Sequence, residues 1–112
     1  MDNIIEQFKN QFPDIYPVVL TNDRYVTYSV LQHFGAFCAQ NFAAQKSKDI
    51  LNTIGALYTR DNLFNRNAIE NEFFSPLAQQ LGVNNLTEHL QNIPENMWGV
   101  YLKVLIETQK IK

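Results

Sequence analysis

The chain has 112 residues, 46% of them hydrophobic and 18% charged, with a formal net charge of −2. That length holds one domain around one core, spanning residues 1–112, and that hydrophobic fraction excludes a disordered chain. The nine basic residues are scattered, with no basic stripe to act as a nucleic-acid footprint, and the single cysteine, Cys38, excludes an internal disulfide.

The opening Met1-Asp2-Asn3-Ile4-Ile5-Glu6 lacks a basic start followed by an apolar run, so no signal peptide is expected. Asn or Gln interrupts each apolar stretch before it reaches the length of a membrane span, and the expected compartment is the cytoplasm. Asp2 caps a predicted first helix that runs to about Phe12, with Ile4, Ile5, Phe8 and Phe12 on one face. Pro13 stops it, because the residue before a proline is pushed out of the α region. Asp14 to Leu20, with Pro17 inside it, is expected as an apolar connection laid over the core.

A second helix is predicted from Thr21 or Asp23 to about Ala44. Val30, Leu31, Phe34, Phe37 and Cys38 fall at i, i+1, i+4, i+7 and i+8, a period near 3.6 that puts them on one side. Val26 and Phe42 extend that stripe, and the small residues Gly35, Ala36 and Ala39 let a neighbouring helix come close. Cys38 lies on the stripe and reads as a small buried hydrophobe rather than a reactive thiol. Ile50, Leu51, Ile54, Leu57 and Tyr58 repeat the same offsets twenty residues later. Ser47 is the expected cap of this third helix, which runs to about Arg60 with Asp49 in its first turn.

Asp61 and Asn62 mark a turn. A fourth helix is predicted over about Leu63 to Phe74, burying Phe64, Ala68, Ile69 and Phe73. Pro76 either kinks or breaks it, and opens a short helix to Leu81 that Gly82 ends. Asn85 and Glu88 have capping-box spacing for a fifth helix to about Asn92. Pro94 and Glu95 open the last helix, to Lys110, with Met97, Trp98, Tyr101, Leu102 and Leu105 inward. Val100 and Val104 lie away from that set, and Ile111 continues their side. The last helix is therefore either central or carries a contact surface. The expected fold class is all-α: a compact bundle of five to six short helices, either orthogonal or stacked as αα-hairpins.

Eight Phe, five Tyr and one Trp invite a ligand-pocket reading. Yet each buried large apolar side chain returns roughly 1.5–3 kcal/mol, against a net stability of only about 5–15 kcal/mol. Most of these rings must be core. Pro76 to Val83 resembles the first half of a DNA-binding helix-turn-helix, but the apolar residues Leu86, Leu90 and Ile93 are out of register for its second half. That half also offers no Lys or Arg to phosphate or base edges. His33 and His89 have no ligand partner at helical spacing, so no metal site is expected. Glu70 and Glu72, two apart on a helix, point in different directions and do not make an acid–base pair. The glycines are too far apart to cradle a phosphate. The residues thus point to no catalytic group, no cofactor and no enzyme, and favour a domain that binds protein.

The stretch Asn67-Ala68-Ile69-Glu70-Asn71-Glu72-Phe73-Phe74-Ser75-Pro76-Leu77 resembles the Asn-Ala-Ile, Phe-Leu-Glu, Leu pattern of an uncharacterised family of small bacterial all-α proteins. Members of that family are similar to immunity proteins of polymorphic-toxin systems. Phe12-Pro13 and Ile93-Pro94 to Trp98 are similar in placement, whereas Phe74-Ser75-Pro76 departs from the Leu-Glu-Asn-like step of the pattern. The resemblance implies a protein that binds and blocks a cognate toxin. Under that implication Asp61, Glu70, Glu72 and Glu88 are the candidate contacts, and mild acidity suits a basic nuclease surface. The alternative is a structural or regulatory subunit that homodimerises through Val100 and Val104 of the last helix.

Overall fold

A computed structural model describes residues 3–17, 26–60 and 63–110. Among these all the regular elements are helices, with no strand, as an all-α bundle requires. The expected cap Asp2, the stretch Val18–Leu20, the start of the second helix at Thr21 or Asp23, the Asp61-Asn62 turn and Ile111 lie outside the described residues.

Helix α1 (Asn3–Gln11) buries Ile4 and Phe8, one turn apart, and Phe12 continues the line. Pro13 ends it in a turn closed by the Tyr16 amide on the Phe12 carbonyl. Phe8 stacks on Phe34 of α2 (Val26–Gln40) with ring centroids 4.4 Å apart, and Phe12 and Tyr16 lie around the same ring. This aromatic group joins the first two helices. On α2, Val30, Leu31, Phe34 and Cys38 are buried and Phe37 half-buried.

Helix α2 stops at Gln40, four residues short of the expected Ala44, because Asn41 turns the chain: its side-chain amide and its backbone amide both donate to the Phe37 carbonyl. Helix α3 (Gln45–Arg60) starts two residues before Ser47. Ser47 is therefore not the cap. It is buried inside the first turn, and its hydroxyl donates back to the Asn41 carbonyl at 2.8 Å, tying the α2–α3 turn together. Ile50, Leu51, Ile54 and Leu57 form the expected stripe and are fully buried.

Leu63 to Leu81 form one continuous rod: α4 (Leu63–Ala68), a π-helical segment (Ile69–Phe74) and α5 (Ser75–Leu81). Pro76 neither breaks nor ends it. In a regular α-helix the proline ring would press on the carbonyl four residues earlier and remove one hydrogen bond. Here the register widens just upstream, and the Ser75 amide donates to the Glu70 carbonyl, five residues back. The wide segment packs against α2 at Gly35, where a Cβ would sit 2.7 Å from the Phe73 carbonyl oxygen. Only glycine allows that approach.

Gly82 ends α5 in the left-handed region (φ 67°), and Asn85 (φ 59°) precedes α6 (Leu86–Gln91). The expected capping box does not form. An N-cap residue needs extended backbone, and left-handed Asn85 makes no side-chain cap bond. A 3₁₀ turn (Glu95–Met97) leads into α7 (Trp98–Lys110), and Pro94 and Met97 lie against Gly55 of α3. One hydrophobic cluster runs from Ile4 on α1 to Leu105 on α7.

Candidate functional site

The π segment places Glu70 and Glu72 on opposite flanks of the rod. Glu70 accepts a hydrogen bond from the Tyr58 hydroxyl at 2.5 Å and one from Lys103 Nζ at 2.9 Å. Burial raises the Glu70 carboxyl, but the Tyr58 hydroxyl and the Lys103 ammonium outweigh it and hold the group below its usual value. The same carboxylate's hydrogen bond and charge push Lys103 up. Arg66 closes the arrangement: its Nε donates to the Tyr58 carbonyl at 3.0 Å, and its guanidinium lies 5.7 Å from the Tyr58 ring centre. On the other flank Glu72 accepts from Gln32 Nε2 of α2 at 2.5 Å. These two carboxylates brace the rod against α3, α7 and α2.

The remaining candidates scatter. Asp61 lies outside the described residues, and Glu88 is exposed on α6. Val100 is half-buried against the core. Val104 is 3% exposed, which corrects its expected position away from the inward set: Met97, Tyr101, Val104 and Leu105 together make α7 a central helix. Leu102 is half-buried, and Trp98, expected inward, is 36% exposed. Phe64 is likewise corrected. It sits near the start of α4, is 55% exposed and meets the Tyr28 ring at a tilt, with centroids 6.0 Å apart.

No sequence motif marks the exposed apolar residues. Among the described residues the large hydrophobic side chains most open to solvent are Leu63 (72%), Phe64, Val83, Trp98 and Ile106 (58%), all on α4 to α7. Trp98 is held in one orientation, because its indole N–H donates to the carbonyls of Leu90 and Ile93, each at 2.8 Å. Beside it Gly99 has open space where a Cβ would be. Glu88 and Glu95, both exposed, lie on the two elements next to that ring. One sequence signal did mark this region: between Arg66 and Lys103 the chain carries four glutamates and neither Lys nor Arg.

The other reactive groups are occupied or sealed. His33 Nε2 donates to the Ile15 carbonyl at 2.8 Å, pinning the segment after Pro13 onto α2. His89 stands edge-on to Phe42 at 5.3 Å. Burial pushes the Cys38 thiol up to about 12, only partly offset by Ser47, so it is no nucleophile at neutral pH. An open groove of about 220 Å³ between α1 and α3 is lined by Gln7, Gln11, Asn52, Thr53 and Arg60. Its polar groups partly satisfy each other through Thr53 and Gln11 at 2.8 Å. Among the described residues no three His, Cys, Asp or Glu side chains converge to hold a metal, and no helix is long and apolar enough to cross a membrane.

Residues 5–109 match the model of a domain of unknown function, DUF7674, and the chain belongs to that family. No curated protein and no solved structure matches it.

Proposed function

We propose that this member of the DUF7674 family is a non-enzymatic protein-binding domain of the immunity type, which binds and neutralises a cognate bacterial toxin in the cytoplasm. One observation carries the reading: among the exposed apolar side chains from Leu63 onward, Val83 and Trp98 lie within residues 67–102, a stretch with four glutamates and neither Lys nor Arg, and Leu63, Phe64 and Ile106 lie just outside it. Apolar residues at a surface supply contact area that a partner desolvates. Glu70 is paired with Lys103, and the negative charge of the exposed Glu88 and Glu95 speeds encounter with a basic partner and disfavours wrong ones.

The test is co-expression with a toxin domain encoded beside this gene. Growth restored by the wild-type chain, together with a stable complex on size exclusion, supports the reading. A toxin that kills equally with and without this chain ends it. Self-association through α7 is the second reading. Ile106 is its exposed apolar anchor, since Val104 is core. Sedimentation of wild type against Ile106→Glu checks it, and a monomeric wild type rules it out.

A further inference from the structure

We infer that the polar groove between α1 and α3 takes an extended peptide segment of a partner protein, with a basic side chain at Asp49 and an acidic one at Arg60. The inference rests on the protein-binding reading and gives it a contact on the first three helices.

Helical spacing builds the groove. Asp49, Asn52, Thr53 and Arg60 fall at i, i+3, i+4 and i+11 on α3, a set that returns to one face of the helix. Gln7 and Gln11, four residues apart on α1, make the facing wall. Two lobes of about 220 and 380 Å³ share Gln11, Asn52 and Thr53, so the groove is continuous. The Thr53 hydroxyl donates to Gln11 Oε1 at 2.8 Å, which ties the two walls together and fixes their spacing.

The lining selects the occupant. Gln11 keeps its Nε2 donor free, and the side chains of Gln7, Asn52 and Arg60 make no hydrogen bond or salt bridge among the described residues. A side-chain amide offers the same donor and acceptor as a peptide bond, so a row of them pairs with the backbone of an extended chain. The ends then set polarity. Arg60 is the charged residue lining one lobe and Asp49 the charged residue lining the other. Asp49 accepts from Gln45 Nε2 on Oδ1, which leaves Oδ2 open to a cation. Along the helix the two charges stand about 16 Å apart, the reach of about five residues of extended chain. A small metabolite spans one charge but not both, and a nucleic-acid strand would set phosphate against Asp49.

The probe is acetyl-Lys-Ser-Ala-Ser-Glu-amide, titrated into the full chain labelled with nitrogen-15. Peptides with Lys at both ends and with Glu at both ends run in parallel. The expected result is a saturable shift of the side-chain amide signals of Gln7, Gln11 and Asn52, weaker with either same-charge peptide and reduced by salt. Arg60→Gln and Asp49→Asn should each weaken binding by about three-fold. Both positions are exposed, so an unchanged thermal midpoint verifies the fold. No saturable shift, an equal response to a same-charge peptide, or undiminished binding by both variants overturns the inference. So do shifts of these amides that appear without peptide and track dimer formation in sedimentation, which assign the groove to a second copy. The titration needs no toxin. Its failure leaves the growth assay standing, and a failed growth assay leaves the titration standing.

Discussion

The two halves of this molecule solve the burial problem differently. Helices α2 and α3, with 15 and 16 residues, turn long apolar stripes inward, and among the described residues α1 to α3 leave no large hydrophobic side chain strongly exposed. The half from Leu63 onward is built from pieces of 3 to 13 residues, with a π segment, a proline inside a rod and two left-handed residues. Helix α6 has no buried residue at all. Phe64 faces solvent near the start of the rod, Val83 in the turn after α5 and Trp98 at the start of α7. Among the described residues the large hydrophobic side chains most open to solvent all lie in the second half.

The sharpest way to break this contrast is a pair of truncations. Phe34 is fully buried in the ring cluster between α1 and α2, so Phe34→Ala should cost about 3–5 kcal/mol. Phe64→Ala should stay within about 0.5 kcal/mol. Urea unfolding of both variants decides it, and similar losses would erase the distinction. The joint between the halves comes next. Gly→Ala inside a helix ordinarily stabilises by about 1 kcal/mol. At Gly35 the added carbon meets the Phe73 carbonyl at 2.7 Å, and Gly35→Ala should instead cost about 1–3 kcal/mol in thermal unfolding.

The opposite sign is expected at Tyr101. Its hydroxyl is buried without a hydrogen-bond partner among the described residues, and burial pushes its pKa up to about 12. Tyr101→Phe removes a desolvated polar atom and should raise the thermal midpoint, by up to about 1 kcal/mol in stability. The smallest effect is the Glu70 brace. Its carboxyl lies below the usual value of 4.5 in the folded chain, so the stabilisation is fully present above that value and lost as pH falls through the depressed one. The group is partly exposed, so the effect is about 0.5 kcal/mol after solvent screening. Acid titration of wild type against Glu70→Gln should show a slightly flatter curve for the variant.

Legibility followed the same division. The stripes of α2 and α3 were readable because a period near 3.6 survives over four turns, and their buried residues fell where the spacing put them. Pro13 and Gly82 ended helices for local backbone reasons that need no neighbour. Ser47, Phe64, Asn85 and Val104 depart from local rules because their surroundings override them. Asn41 drew the Ser47 hydroxyl, α4 starts beyond the edge of the core, Asn85 is left-handed, and α7 is covered on more sides than one. The candidate contacts Glu70 and Glu72 turned out to be held by Tyr58, Lys103 and Gln32, partners 12 to 40 residues away. Trp98 and Glu95 were legible only as a gap in basic residues, a pattern spread over a third of the chain rather than a motif.

By itself the sequence determined that this chain is all-α, where most helices begin and end, and which residues of the long helices are buried. Periodicity, proline and glycine act through the local backbone and write themselves into consecutive residues. Tertiary structure alone decided that Pro76 lies within a rod, that two carboxylates serve as braces, and that Trp98 faces solvent with its N–H turned inward. Each of these depends on a carbonyl, amide or hydroxyl from another turn or another helix, and a periodic pattern carries no information about such partners.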